Sequence, residues 1–121
     1  MEYLSVERVS SSVAPEVTYT VARMSFGRRV ELTRRIRDLA SRKEFAEAGD
    51  AAADKMEAAL VASEIDRIYL LWGLKEVSGL DLDGSPATPE SLAASGPEEL
   101  FREALAAVKQ QCGLSEGERK N

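Results

Sequence analysis

The chain has 121 residues, a net charge of −5, no histidine and one cysteine. That is the length of one domain, for which roughly 100–200 residues is usual. The missing histidine removes the commonest general base and metal ligand, and Cys112 alone closes no internal disulfide, which fits a reducing cytoplasm better than secretion. No run of roughly 18 apolar residues and no charged-then-apolar leader occurs, so a soluble protein with no membrane partner is expected.

In chain order, residues 1–16 read as a mobile N-terminal arm. Leu4, Val6 and Val9 are short apolar positions before a serine-rich break that ends at Pro15, and a weak edge strand is the alternative. Residues 17–21 alternate Val17, Tyr19 and Val21 with Thr18 and Thr20, a strand pattern. Ser25 then caps a helix expected over about 26–48, with Leu32, Ile36, Leu39 and Ala40 on one stripe. Gly49 ends it, and Asp50 is placed to cap a second long helix over about 51–72. Val61, Ile65, Ile68, Tyr69 and Trp72 form that helix's stripe, and Leu60 and Leu71 widen it, which predicts a central position. Leu32, Ile36, Ile65, Ile68, Tyr69 and Trp72 are therefore the expected core anchors, with the indole the largest.

Gly73 ends the second helix, and an extended segment or hairpin is expected over about 74–87. Asp83 and Gly84 suit a type I′ turn, with one or two strands pairing to residues 17–21. Thr88 and Pro89 start a short helix over about 89–95. A longer one follows over about 98–112, with acids in its first turn and Gly113 as its stop. Residues 115–121 have nothing to bury and should fray. The predicted fold is mainly α with a small β element, an α+β domain over 17–114.

Charge is uneven along the chain. Residues 23–43 hold eight basic residues against two acids, net +6, and residues 44–103 hold fourteen acids against four bases, net −10. Arg28, Arg34, Arg35, Arg37 and Arg42 are the candidate partner-binding or self-association residues, by meeting the acidic half of another copy head to tail. The same face is the candidate for a small nucleic-acid-binding regulator. Against that, no aromatic residues interleave with the arginines, and the whole chain is acidic.

The residues point away from catalysis. Nucleophilic chemistry needs a positioned base, and Cys112 has no evident activator. No glycine-rich phosphate loop is present. Residues 81–85 have the outline of a calcium loop, but its glycine falls two places early and Leu92 stands where the bidentate acid belongs. A non-enzyme with no metal or cofactor is expected.

The ordered set VTYTVARMSFGRRVEL, EAGD, SEIDRIYLLWGLKEVSGLDLDGSPATPESL and GPEELFREALAAVKQQCGLSEGERKN resembles the tail assembly chaperones of long-tailed bacteriophages and prophages. The resemblance runs from about residue 17 onward. It rests most on Trp72-Gly73 through Asp83-Gly84, Pro86 and Thr88, and on the ending Gly-Leu-Ser…Glu-Arg-Lys-Asn. It implies a helical, non-enzymatic protein that coats the tape measure protein and keeps it soluble until the tail tube polymerises. The tail tube protein is a second candidate partner, and homo-oligomers are expected. Such a protein works in the bacterial cytoplasm and is absent from the finished virion. It also implies a longer form made by ribosomal frameshifting, which the ending Arg119-Lys120-Asn121 permits in codon terms. A structural tail or head completion protein is the remaining alternative.

Overall fold

The structure, a computed structural model, describes residues 1–113. Strands β1 (Val6–Ser10), β2 (Thr18–Ala22) and β3 (Leu74–Ser78) form an antiparallel sheet in the order β1-β2-β3. Helix α1 (Phe26–Glu47) and helix α2 (Ala52–Gly73) make a long hairpin between β2 and β3. A two-stranded ribbon, β4 (Asp81–Leu82) and β5 (Ser85–Pro86), leads into α3 (Pro89–Ser95) and α4 (Glu98–Gln111). The fold is thus mainly α with a small antiparallel sheet.

Local chemistry accounts for most of these boundaries. Ser25 accepts the amide of Arg28 at 3.2 Å at the start of α1. Thr88 accepts the amide of Ser91 at 3.1 Å, and the Ser91 hydroxyl accepts the Thr88 amide at 2.8 Å, with Pro89 in the first turn. The start of α2 differs from expectation. Its N-cap is Ala51 and not Asp50; the carboxylate of Asp54 accepts the Ala51 amide at 3.3 Å, so the acid sits inside the first turn. Asp83 and Gly84 both have positive φ, 51° and 84°, as the turn between β4 and β5 requires.

The segment expected as a mobile arm contains β1, which pairs with β2 along its length, Val6 opposite Ala22 through Ser10 opposite Thr18. The weak edge strand offered by Val6 and Val9 is thus the reading that holds here, in place of the mobile arm. Val17, just before β2, and Tyr19 and Val21 within it are buried on one face, while Thr18 and Thr20 are half-exposed on the other. Strand β3 buries Leu74 and Val77, three residues apart, which plain alternation does not allow. A bulge explains this: Val21 lies opposite Leu74 and Thr20 opposite Glu76, so Lys75 is the extra residue.

Helix α4 covers the buried face of the sheet, and α2 packs against α4, α3 and α1. The core joins Val17, Tyr19 and Val21 to Leu70, Trp72, Leu74, Leu92, Leu100, Leu105 and Val108. Gly73 ends α2 for a packing reason and not by a left-handed backbone. A Cβ there would lie 2.4 Å from a methyl of Val108, so only glycine lets α4 approach so closely. Beyond Leu32 and Ile36 the rest of α1 lies outside this core. The outer part of the hairpin is held by the two helices themselves, with Ala46 near the turn and Val61 at mid-helix both buried outside this core. Residues 114–121, including the expected frayed tail, lie outside the described residues.

Candidate interaction surface

The arginines of α1 divide by what they touch. Arg28 is half-buried, with its guanidinium over the Trp72 ring at 5.4 Å from the centroid. Arg35 pairs with Glu31 one turn away at 2.8 Å, and Arg42 pairs across the hairpin with Glu57 at 2.7 Å. The Arg42 guanidinium is held more firmly protonated by its hydrogen bond to Glu57 and that carboxylate's charge. Arg37 is 3.6 Å from Asp38, at the outer edge of an ion pair between two exposed side chains. Arg34 is exposed and forms no ion pair among the described residues, and Arg29 is the same. Part of the charge asymmetry along the chain is therefore neutralised inside the hairpin. Lys75, the bulge residue, has its ammonium pK pushed down by burial and by the nearby Arg28.

Of the expected core anchors, Leu32 and Trp72 are buried, while Ile36, Ile68 and Tyr69 are half-buried against the core. Ile65 is half-buried within the hairpin and outside that core. The largest fully buried side chain of α2 is Leu70, which the stripe did not single out. Leu60 corrects the central placing of α2 along its whole length. Only the second half of the helix is surrounded, and Leu60 is 60% exposed. The indole N–H of Trp72 is buried without a hydrogen-bond partner among the described residues.

The hairpin thus leaves large apolar side chains exposed on both of its helices. Phe26, Val30 and Phe45 lie on α1, and Met56 and Leu60 on α2. Phe26 and Val30 border a groove of about 340 Å³ with Arg29, Thr33 and Arg34. Phe45 borders a second of about 410 Å³ with Ser41, Arg42, Ala46, Asp54 and Glu57. Isolated exposed hydrophobics are ordinary, but five on one two-helix element, two of them together at one groove, make the hairpin the candidate for partner contact.

Two polar clusters sit elsewhere and are structural. Glu103 of α4 accepts four hydrogen bonds. Oε1 takes the hydroxyls of Ser11 at 2.5 Å and Tyr19 at 2.8 Å, and Oε2 takes the amide and hydroxyl of Ser12 at 2.8 and 2.9 Å. Partial burial alone would raise its carboxyl pK; these donors outweigh burial and hold it at about 2. Burial and the neighbouring Glu103 push the Tyr19 phenol upward. Lys109, 6% exposed, donates to Asp66 at 2.9 Å and lies over the Tyr69 ring at 5.3 Å. Asp66 also takes Arg102 at 3.1 Å.

Chemically, these groups are occupied. The Glu103 carboxylate has no free lone pair aimed at a cavity, and Cys112 is buried with its thiol pK pushed up by desolvation, the reverse of an activated nucleophile. Asp81 and Asp83 are exposed around the β4–β5 turn. Among the described residues, no group of three or more His, Cys, Asp or Glu is placed to hold a metal, and no helix is long and apolar enough to cross a membrane. Comparisons with protein-family models, with curated proteins and with solved structures give no match.

Proposed function

We propose that this protein is a non-enzymatic tail assembly chaperone, which binds the helical tape measure protein of a long-tailed phage and keeps it soluble until the tube forms around it. The observation that carries the reading is the hairpin. Its base is anchored in the core by Leu70 and Trp72, while Phe26, Phe45, Met56 and Leu60 stand exposed on its two helices. An amphipathic client helix would bury its apolar stripe against such side chains. Several copies along one rod-shaped client would sum weak contacts into firm binding. The sequence resemblance supplies the identity of the client, and the site of action is then the bacterial cytoplasm.

A nucleic-acid regulator is less well supported, because Arg35 and Arg42 are spent on Glu31 and Glu57 and Arg28 on Trp72. Two measurements separate the alternatives. In a salt titration, binding through phosphate contacts falls steeply between about 50 and 200 mM, whereas apolar helix packing persists. Mass spectrometry of purified phage particles should find no copy of this chain. A stoichiometric copy would make it a completion protein and end the chaperone reading.

A further inference from the structure

The first groove on α1 combines two features that do not serve the isolated chain. Phe26 is 77% exposed and Val30 38%, one helical turn apart. Arg34 stands a turn further on and Arg29 alongside, and neither guanidinium has an ion-pair partner among the described residues. The other arginines of α1 are turned to Glu31, Glu57, Asp38 or Trp72, so the unneutralised charge of the helix gathers at this groove. The preceding turn is fixed by the Ser25 cap, which holds Phe26 in place on the surface.

We propose that this face docks one acidic amphipathic helix of another protein. An apolar side chain of that helix would fill the groove between Phe26 and Val30, and carboxylates flanking it would pair with Arg29 and Arg34. Charge complementarity selects the occupant. A second copy fits less well: beside the chain's own exposed apolar pair, Met56 and Leu60, the exposed carboxylate of Glu64 is offset by Arg67 on the same helix face, and the nearby Glu57 is held by Arg42. A single-stranded nucleic acid would need a row of stacking aromatics, and only Phe26 is offered here. The inference rests on the chaperone reading for the owner of the helix, not for the chemistry of the face.

The test uses the full chain and fluorescence anisotropy with three probes. One is a labelled peptide of about 21 residues with leucines at helical spacing and glutamates elsewhere, long enough to form a helix on a surface. The others are its lysine-for-glutamate twin and a single-stranded oligonucleotide of similar length. The acidic peptide should bind at least tenfold tighter than its twin. Phe26→Ser with Val30→Ser should weaken it at least tenfold, and Arg34→Glu should shift preference toward the lysine twin, with circular dichroism unchanged. Equal binding of the two peptides, indifference to these variants, or preference for the oligonucleotide overturns the proposal. So does an oligomer in sedimentation that Arg34→Glu dissociates without any peptide binding, since the face would then join two copies. If the peptides behave as expected but tape measure protein is not retained, the chaperone reading falls and the face stands. If tape measure protein is retained equally by Arg34→Glu, the face falls and that reading stands.

Discussion

Replacing Glu103 by glutamine probes the contact that ties three parts of the chain together. The carboxylate joins α4 to Ser11 and Ser12 after β1 and to Tyr19 of β2. A glutamine can be placed two ways, and both fail. With its amide nitrogen at the Oε2 position, it faces the Ser12 amide, a donor that cannot turn away. At the Oε1 position it faces Ser11, whose oxygen already accepts the amides of Val13 at 3.1 Å and Ala14 at 2.9 Å and has no lone pair left. One donor therefore loses its acceptor, the exposed Ser12 amide in the first placing or the hydroxyl of buried Ser11 in the second, and two charge-assisted bonds become ordinary ones. Because the first placing leaves only an exposed amide to water, the expected cost at pH 7 is about 1–2 kcal/mol, read by urea unfolding. The pH dependence gives a second reading. Because the folded-state carboxyl pK is lowered to about 2 from 4.5, its stabilisation is complete above 4.5 and fades as pH falls toward 2. The full shift corresponds to about 3 kcal/mol, and partial exposure of the group reduces this to about 1–2 kcal/mol. Wild type should lose that increment between pH 5 and pH 2 and Glu103→Gln should not. A variant within about 0.5 kcal/mol of wild type, with the same pH slope, would refute the reasoning.

Three further outcomes follow from packing. Trp72→Ala should cost about 3–5 kcal/mol in denaturant melts, whereas Trp72→Phe should cost far less, because it also deletes a buried N–H that has no partner. Gly73→Ala should destabilise by about 1–3 kcal/mol through its clash with Val108, and adding Val108→Ala should recover part of that loss, as measured by thermal unfolding. Asp66→Ala leaves Lys109 buried and unpaired and should cost about 3 kcal/mol; Asp66→Ala with Lys109→Met should be closer to wild type in urea midpoint.

The helices were legible because their ends are written in local chemistry. Ser25, Thr88 with Pro89, and Gly113 each act within one turn of themselves, so a reading of neighbours suffices. The strand over residues 17–21 was legible by its alternation, and its partner before Gly79 by the apolar positions and turn residues that bracket it. What escaped depends on distant contacts. Glu103 looks like any exposed helix acid until the fold brings Ser11 to it across 92 positions. Strand β1, readable from Val6 and Val9 only as an alternative to a mobile arm, forms because β2 offers it an edge, and the bulge at Lys75 lets both Leu74 and Val77 be buried. Leu60 misled because spacing records which face a residue is on, but not whether another element reaches that far along α2. At the interaction surface, the arginine-rich stretch was visible as composition. Which arginines are spent internally and which remain free at Phe26 and Val30 needed the hairpin pairing of Arg42 with Glu57.

The central claim is tested most directly by co-expressing the tape measure protein with and without this chain and measuring the tape measure protein left in the supernatant after ultracentrifugation. The account predicts that it pellets alone, stays soluble with the wild-type chain and co-elutes with it, and returns to the pellet when Phe26, Phe45, Met56 and Leu60 are replaced together by serine in a chain whose circular dichroism is unchanged. A tape measure protein that pellets equally in the presence of the wild-type chain would contradict it.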